Sequence, residues 1–135
     1  MPTQIFVNLA VKDLKRTVEF FSRLGFTFNP QFTDDNATCM VVAENIFVML
    51  LVERFFQTFT DKALCDASRS TEAITCLSVD SRGRVDEMVA TAVAAGGKAP
   101  RPAQDHGFMY QHGFEDPDGH LWELVYMDPN AQPPH

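Results

Sequence analysis

The chain has 135 residues, 18 acidic and 11 basic, and a formal net charge of −7. This length predicts a single domain with a real core, and the negative charge argues against nucleic acids and anionic membranes as partners, since both attract clustered Lys and Arg. No apolar run approaches a membrane span, and the first residues lack a signal-peptide pattern. The three cysteines are widely spaced, so we predict reduced thiols in a cytoplasmic protein.

The first half of the chain predicts the order β-α-β-β-β. Residues 4–11 are typical of a buried strand, and Asp13 is a good N-cap for a helix over residues 14–24 that Gly25 ends. Three strand-like runs follow, at residues 26–28, 38–42 and 46–52.

Residues 53–71 break this pattern and are predicted to be a linker with a short helix near residues 61–67. The segment contains three phenylalanines, Phe55, Phe56 and Phe59. Clustered aromatic side chains need a surface to cover. They are interpreted as a lid or a dimer contact, with core packing as the alternative.

The second half repeats the order of the first. Residues 73–79 predict a strand, and Asp80 or Ser81 caps a helix that ends at residues 96–97. The apolar stripe of this helix is Val85, Met88, Val89, Ala92 and Val93. Pro100 and Pro102 restrict the next strand to a sheet edge or an irregular path.

A β-hairpin over residues 108–127 closes the second half. Its turn is predicted at residues 116–119, Asp-Pro-Asp-Gly, which combine a capping carboxylate, a fixed φ and a glycine. A four-residue loop places His112 opposite Glu123, on one face with Tyr110. Trp122 then lies on the other face as a core anchor.

The internal repeat predicts an α+β fold of two tandem βαβββ modules within one domain. Module 1 covers residues 4–52 and module 2 covers residues 72–128, joined by the linker at 53–71. Residues 129–135, which include two prolines after position 130, are predicted to be a frayed tail.

The chain resembles the vicinal oxygen chelate superfamily in three features. These are the two modules, the Val-x-Asp-Leu sequence at residues 11–14 and the Asp-Pro-Asp-Gly-His-x-Trp-Glu-Leu sequence at residues 116–124. This superfamily includes glyoxalase I, extradiol dioxygenases, fosfomycin-modifying enzymes and bleomycin-resistance proteins. The resemblance implies modules that curl into half-barrels around a concave cavity, and a homodimer.

The resemblance also implies a metal site, whose ligand positions fall on Phe6, Met49, Ile74 and Glu123. Of these, only Glu123 offers a donor suited to a hard or borderline divalent ion. Moving two residues along each first strand keeps the same face of the sheet. It places Asn8 at the position of Phe6 and Cys76 at the position of Ile74. We therefore predict no tightly bound catalytic metal, and glyoxalase I activity is not expected.

The candidate catalytic residues are Glu123 and His112. Glu123 is interpreted as a carboxylate inside the cavity, and the alternative is a residue at the cavity rim that forms a salt bridge. His112 is interpreted either as the partner of Glu123 or as a strand histidine without a chemical role. The candidate ligand-binding residues are Phe6, Asn8, Phe47, Met49, Ile74, Cys76 and Tyr110. For Tyr110, core or edge packing is the favoured explanation. For Cys76, a small buried hydrophobe is favoured over a nucleophile.

Three hypotheses for function follow. The first is a metal-independent protein that binds a small amphipathic molecule in an apolar cavity. The second is a metal-dependent lyase or dioxygenase that uses Glu123, His112 and non-standard ligands. The third is a structural dimer with a degenerate site.

Overall fold

A computed structural model describes residues 2–130, so the last part of the predicted tail, residues 131–135, lies outside the described residues. The chain divides into two compact units, residues 1–65 and 66–135. The boundary falls inside the predicted linker. Between residues 2 and 130, no helix has the length and apolar character needed to cross a membrane.

The first unit contains a four-stranded sheet and one long helix. Its elements are β1 (Ile5–Val11), α1 (Leu14–Arg23), β2 (Thr27–Asn29), β3 (Ala37–Ala43) and β4 (Ile46–Val52). The strands lie in the order β1-β4-β3-β2, and β1 runs parallel to β4. A parallel neighbour requires a crossover, which α1 and the β2–β3 hairpin supply.

Helix α1 begins and ends where local chemistry predicts. The Asp13 carboxylate accepts a hydrogen bond from the Arg16 backbone N–H at 3.1 Å, which satisfies one free donor of the first turn. Gly25 follows the helix with φ 101°, a conformation that glycine adopts without steric cost. The helix contacts β4 and buries Phe20 and Phe21.

The second unit has the same topology as the first. Its elements are β5 (Ile74–Ser78), α3 (Arg82–Ala94), β6 (Gln104–Asp105), β7 (Met109–Glu115) and β8 (Leu121–Met127). The strands lie in the order β5-β8-β7-β6, with β5 parallel to β8. Two units of this order confirm the predicted α+β fold of tandem βαβββ modules.

Helix α3 covers one face of the second sheet. Ser81, one of the two predicted caps, accepts a hydrogen bond from the Arg84 N–H at 3.0 Å. The helix contacts β7 and β8, where the rings of Phe114 and Trp122 stack with centroids 6.3 Å apart. Four of the five residues predicted for its apolar stripe are buried. The fifth, Val93, is 48% exposed, so its assignment to the stripe was wrong.

In the connection between the units, the helix begins at an earlier residue than predicted. A short helix, α2 (Glu53–Phe56), continues directly from β4 and is followed by a 3₁₀ turn, Gln57–Phe59. The helix expected near residues 61–67 is absent from this described segment. The rings of Phe55 and Phe59 meet edge to face at 5.2 Å, and α2 contacts β1 and β4.

Candidate functional site

Glu123 lies in the middle of β8, on the face of the second sheet opposite α3. Along the parallel neighbour β5, Cys76 pairs with Glu123 and Ile74 pairs with Leu121. Paired residues of adjacent strands project to the same face, so Glu123 stands among Ile74, Cys76 and Leu121. Within residues 2–130, its carboxylate has neither a hydrogen-bond nor an ion-pair partner.

Gly113 provides the space that the Glu123 side chain occupies. The two residues are direct partners in the antiparallel pair of β7 and β8. A Cβ atom on residue 113 would lie 3.3 Å from Glu123 Cγ and 2.9 Å from the backbone oxygen of Trp122. The second distance is shorter than real Cβ contacts, so a larger residue at 113 would displace its neighbours.

A cavity of about 190 Å³ opens beside these residues. Its lining belongs entirely to the second unit and comes from β5, the hairpin of β7 and β8, and the segment before β6. The lining residues are Ile74, Pro100, Arg101, Pro102, Gln104, Gln111, His112, Gly113, Phe114, Leu121, Trp122 and Glu123.

The irregular segment before β6 forms one wall of the cavity. Its two ends pair with β7, Lys98 with Glu115 and Gln104 with Gln111. Between these pairs the segment has five residues where β7 has three, and Pro100 and Pro102 cannot donate to the ladder. The segment therefore bulges away from β7, as the two prolines predicted.

His112 holds this wall and is not the partner of Glu123. The register pairs His112 with Leu124, and its Nε2 lies 2.8 Å from the backbone oxygen of Arg101. The predicted pairing with Glu123 was wrong because the turn has five residues. The Asp116 N–H donates to the His120 oxygen at 3.1 Å, which makes Leu121 the partner of Glu115.

The same register moves Tyr110 away from the face of Glu123. Tyr110 pairs with Tyr126, and its hydroxyl donates to Asp86 of α3 at 2.5 Å. This hydrogen bond raises the pKa of the phenol. The Arg82 guanidinium lies over the ring, 5.1 Å from its centroid. Tyr110 does not line the cavity, and its predicted place on the Glu123 face was wrong.

Cys76 is exposed, so its interpretation as a small buried hydrophobe was wrong. It does not line the cavity. Partial burial of the sulfur raises the pKa of the thiol, and the negative charge of Glu123 raises it further. A raised pKa leaves less of the reactive thiolate at neutral pH, which is opposite to what a nucleophilic cysteine requires.

The other predicted ligand-binding residues lie in the first unit and do not line the cavity. Phe6 pairs with Phe47, and their rings stack at 4.9 Å with an interplanar angle of 14°. Asn8 pairs with Met49, and its side-chain amide donates to the backbone oxygen of Phe6 at 3.0 Å. These four residues share one face of the first sheet.

The family model of the glyoxalase/bleomycin resistance protein/dioxygenase superfamily matches residues 4–124. The chain belongs to this superfamily. No curated protein sequence matches significantly.

Several solved structures share the fold of this chain. A hypothetical protein from S. aureus is 26% identical with a TM-score of 0.79, and the alignment covers 93% of this chain and 95% of that one. A glyoxalase-related enzyme from Fulvimarina pelagi is 22% identical with a TM-score of 0.78, over 93% and 88% of the chains. The fosfomycin resistance protein FosX from Mesorhizobium loti is 14% identical with a TM-score of 0.67, over 96% and 95%.

The residues at the metal-ligand positions of the superfamily do not fit a metal ion. Phe6 and Ile74 have no donor atom, and Met49 offers a thioether, a poor ligand for Zn²⁺, Ni²⁺ or Mg²⁺. In the described part of the chain, no three His, Cys, Asp or Glu side chains are grouped so as to hold a metal. Of the four positions, only Glu123 carries a donor suited to such an ion.

Several residues of the cavity were not singled out by the sequence. Arg101, Gln104 and Gln111 contribute its polar wall together with Glu123, and the Gln111 amide donates to the Gln104 side-chain oxygen at 3.1 Å. The two prolines were a usable signal, since they mark a bulge beside the hairpin. Gln104 and Gln111 could not be predicted as cavity residues from the sequence, because their position depends on the register of β6 against β7.

Proposed function

We propose that this protein binds a small amphipathic molecule in the cavity of its second unit, without the catalytic metal of its superfamily. The observation that carries the proposal is the composition of the cavity wall. Ile74, Leu121, Pro100 and Pro102 provide apolar surface, and a small set of polar groups stands among them. Concave sites with apolar walls and few polar groups are typical of small-molecule binding.

The only tryptophan of the chain adjoins this cavity, because Trp122 precedes Glu123 in β8 and its residue is part of the cavity wall. We expect benzyl alcohol, a neutral amphipathic probe, to change the Trp122 fluorescence saturably, with a Kd on the order of 1 mM. Ile74→Phe adds bulk to the cavity wall and should weaken this binding at least about threefold.

Ile5→Phe is the matched control for this experiment. Ile5 and Ile74 are the first residues of β1 and β5, both are 53% exposed, and Ile5 does not line the cavity. This variant should bind as the wild type does. Equal weakening in both variants, or no saturable change in the wild type, would contradict binding in this cavity.

The alternative is a metal-dependent lyase or dioxygenase. The unpartnered Glu123 carboxylate favours it, since such a group is free to accept a proton or bind an ion. Metal analysis of protein purified without chelator distinguishes the two proposals. Near-stoichiometric metal that is lost in Glu123→Ala would favour the enzyme. Metal far below one ion per chain in both proteins would support the metal-free binding protein.

We also propose that the protein is a cytoplasmic homodimer. The three cysteines are unpaired, which fits a reducing compartment. β1 is an edge strand, and its exposed Ile5 and Phe6 lie next to exposed Ile46 at the start of β4. An edge strand with exposed apolar residues favours association with a second copy.

Sedimentation at micromolar concentration should give twice the chain mass of 15.2 kDa. Phe6→Ser should shift the protein toward the monomer. Phe32→Ser is the control, because Phe32 is also exposed but lies in the 3₁₀ turn that follows β2. A wild-type protein that sediments as a monomer would rule out the dimer.

A further inference from the structure

We infer that the ligand of the cavity carries a protonated amine that contacts Glu123, and an aromatic or aliphatic body that lies on the apolar wall. This inference rests on the proposed binding function and specifies its ligand class. It excludes acids and uncharged molecules as preferred ligands.

The Glu123 carboxylate is partly shielded from water. It is half-buried among Ile74, Leu121 and Gly113, and in the described part of the chain no donor or cation contacts it. A carboxylate shielded from water by apolar neighbours gains more from a charged donor than an exposed one does. A ligand ammonium group would supply that donor.

Among the described residues, none supplies a counter-charge in contact with Glu123. Arg101 lies on the rim of the cavity and is exposed, and no ion pair joins it to Glu123 among the described residues. The negative field of Glu123 reaches its neighbour on β5, because its charge contributes to the raised pKa of the Cys76 thiol. The potential at this end of the cavity therefore favours a cation.

Gly113 leaves space beside the Glu123 side chain. The two residues are direct partners, and a Cβ atom on residue 113 would lie 3.3 Å from Glu123 Cγ. Glycine in the middle of a strand loses packing and conformational freedom, and here it keeps the space beside Glu123 open. The carboxylate therefore remains accessible to a ligand donor at the cavity wall.

The volume of the cavity limits the size of the ligand. The cavity of about 190 Å³ is slightly larger than a cavity of about 150 Å³ that holds benzene. It therefore accommodates one six-membered ring or an equivalent aliphatic group with a short chain. The polar end of such a molecule would face Glu123, while its ring contacts residues such as Leu121 and Ile74.

Three probes of nearly equal size test the inference at pH 7: benzylamine as the cation, benzyl alcohol as the neutral molecule and benzoate as the anion. Binding is measured by Trp122 fluorescence and by NMR shifts of the full-length protein. We expect benzylamine to bind at least about fivefold more tightly than benzyl alcohol, and benzoate to bind most weakly. Glu123→Gln should bring the first two affinities within about twofold of each other.

Two further variants make the result specific. Glu115→Gln removes the same charge from the same hairpin at a residue that does not line the cavity, and it should keep the preference for benzylamine. Gly113→Ala keeps the charge of Glu123 but displaces its side chain, and it should reduce the preference.

The outcomes separate this inference from the proposed function. Equal binding of the amine and the alcohol, or a preference for benzoate through Arg101, would overturn the amine inference and leave binding in the cavity intact. A preference for benzylamine that survives Glu123→Gln would also overturn it. Absence of binding by all three probes would overturn the inference and the proposed function together.

Discussion

Replacing Trp122 with alanine is expected to destabilise the protein by roughly 3–5 kcal/mol, the usual loss when a large buried aromatic side chain is removed. Trp122 is 1% exposed, stacks on Phe114, and lies on the face of the sheet that α3 contacts. Its indole N–H also donates to the Asp116 carboxylate at 3.1 Å. The variant therefore loses packing and leaves a buried acceptor with one donor fewer.

Urea unfolding followed by circular dichroism measures this loss without relying on the missing fluorophore. Met127→Ala is the control, because Met127 ends the same strand but is 60% exposed. A surface substitution of this kind should change stability by no more than about 0.5 kcal/mol. Similar losses in both variants would show that Trp122 is not a core anchor.

Trp122→Phe separates the hydrogen bond from the packing, and its effect should depend on pH. Burial already raises the pKa of Asp116, whereas His120 and the hydrogen bond from Trp122 lower it. Without the indole donor, the folded-state pKa of Asp116 should rise further. A raised folded-state pKa favours the protonated carboxyl, so the penalty grows as pH rises above the unfolded value of about 3.9. We expect a loss of about 1–3 kcal/mol at pH 7 that shrinks as pH falls through the raised folded-state pKa of Asp116.

Gly119→Ala is expected to cause the second large loss of stability. Gly119 has φ 93°, and a Cβ atom there would lie 2.7 Å from Ser68 Cα and 2.8 Å from the backbone oxygen of Ala67. Residues 67–68 thus lie directly against the hairpin turn. Backbone strain of roughly 1–2 kcal/mol and overpacking of roughly 1–3 kcal/mol should both appear.

Gly96→Ala isolates the strain, because Gly96 has φ 108° but nothing lies within 4 Å of the position of its Cβ. Thermal unfolding of the two variants should therefore show the larger decrease in Tm for Gly119→Ala. The difference measures the contact with residues 67–68. Equal decreases would mean that this segment moves away from the turn at no cost.

Local chemistry in the sequence was sufficient to predict most elements of the fold. Alternating and continuous apolar runs gave the strands, and Asp13 and Ser81 marked the helix starts because their side chains bond to free backbone N–H groups. The repeated βαβββ order then predicted the topology, since few arrangements bury both sheets. These signals depend only on residues near one another in the chain.

The candidate site could be predicted only in part. Glu123, Ile74 and His112 were named and line the cavity, but the partner assigned to Glu123 was wrong by one position in the hairpin. A one-residue shift exchanges the faces of one strand relative to the other. The length of the turn depends on how the Asp116 carboxylate accepts from the N–H groups of Asp118 and His120, both at 3.0 Å.

The sequence by itself therefore determined the fold and the superfamily, because these depend on residue types at positions counted along the chain. Only the tertiary structure decided which side chains surround Glu123. Gly113 faces it because of the five-residue turn, and Arg101 reaches the cavity because the proline-containing segment bulges from β7. Strand register and bulges are set by hydrogen bonds between distant residues, and no local pattern records them.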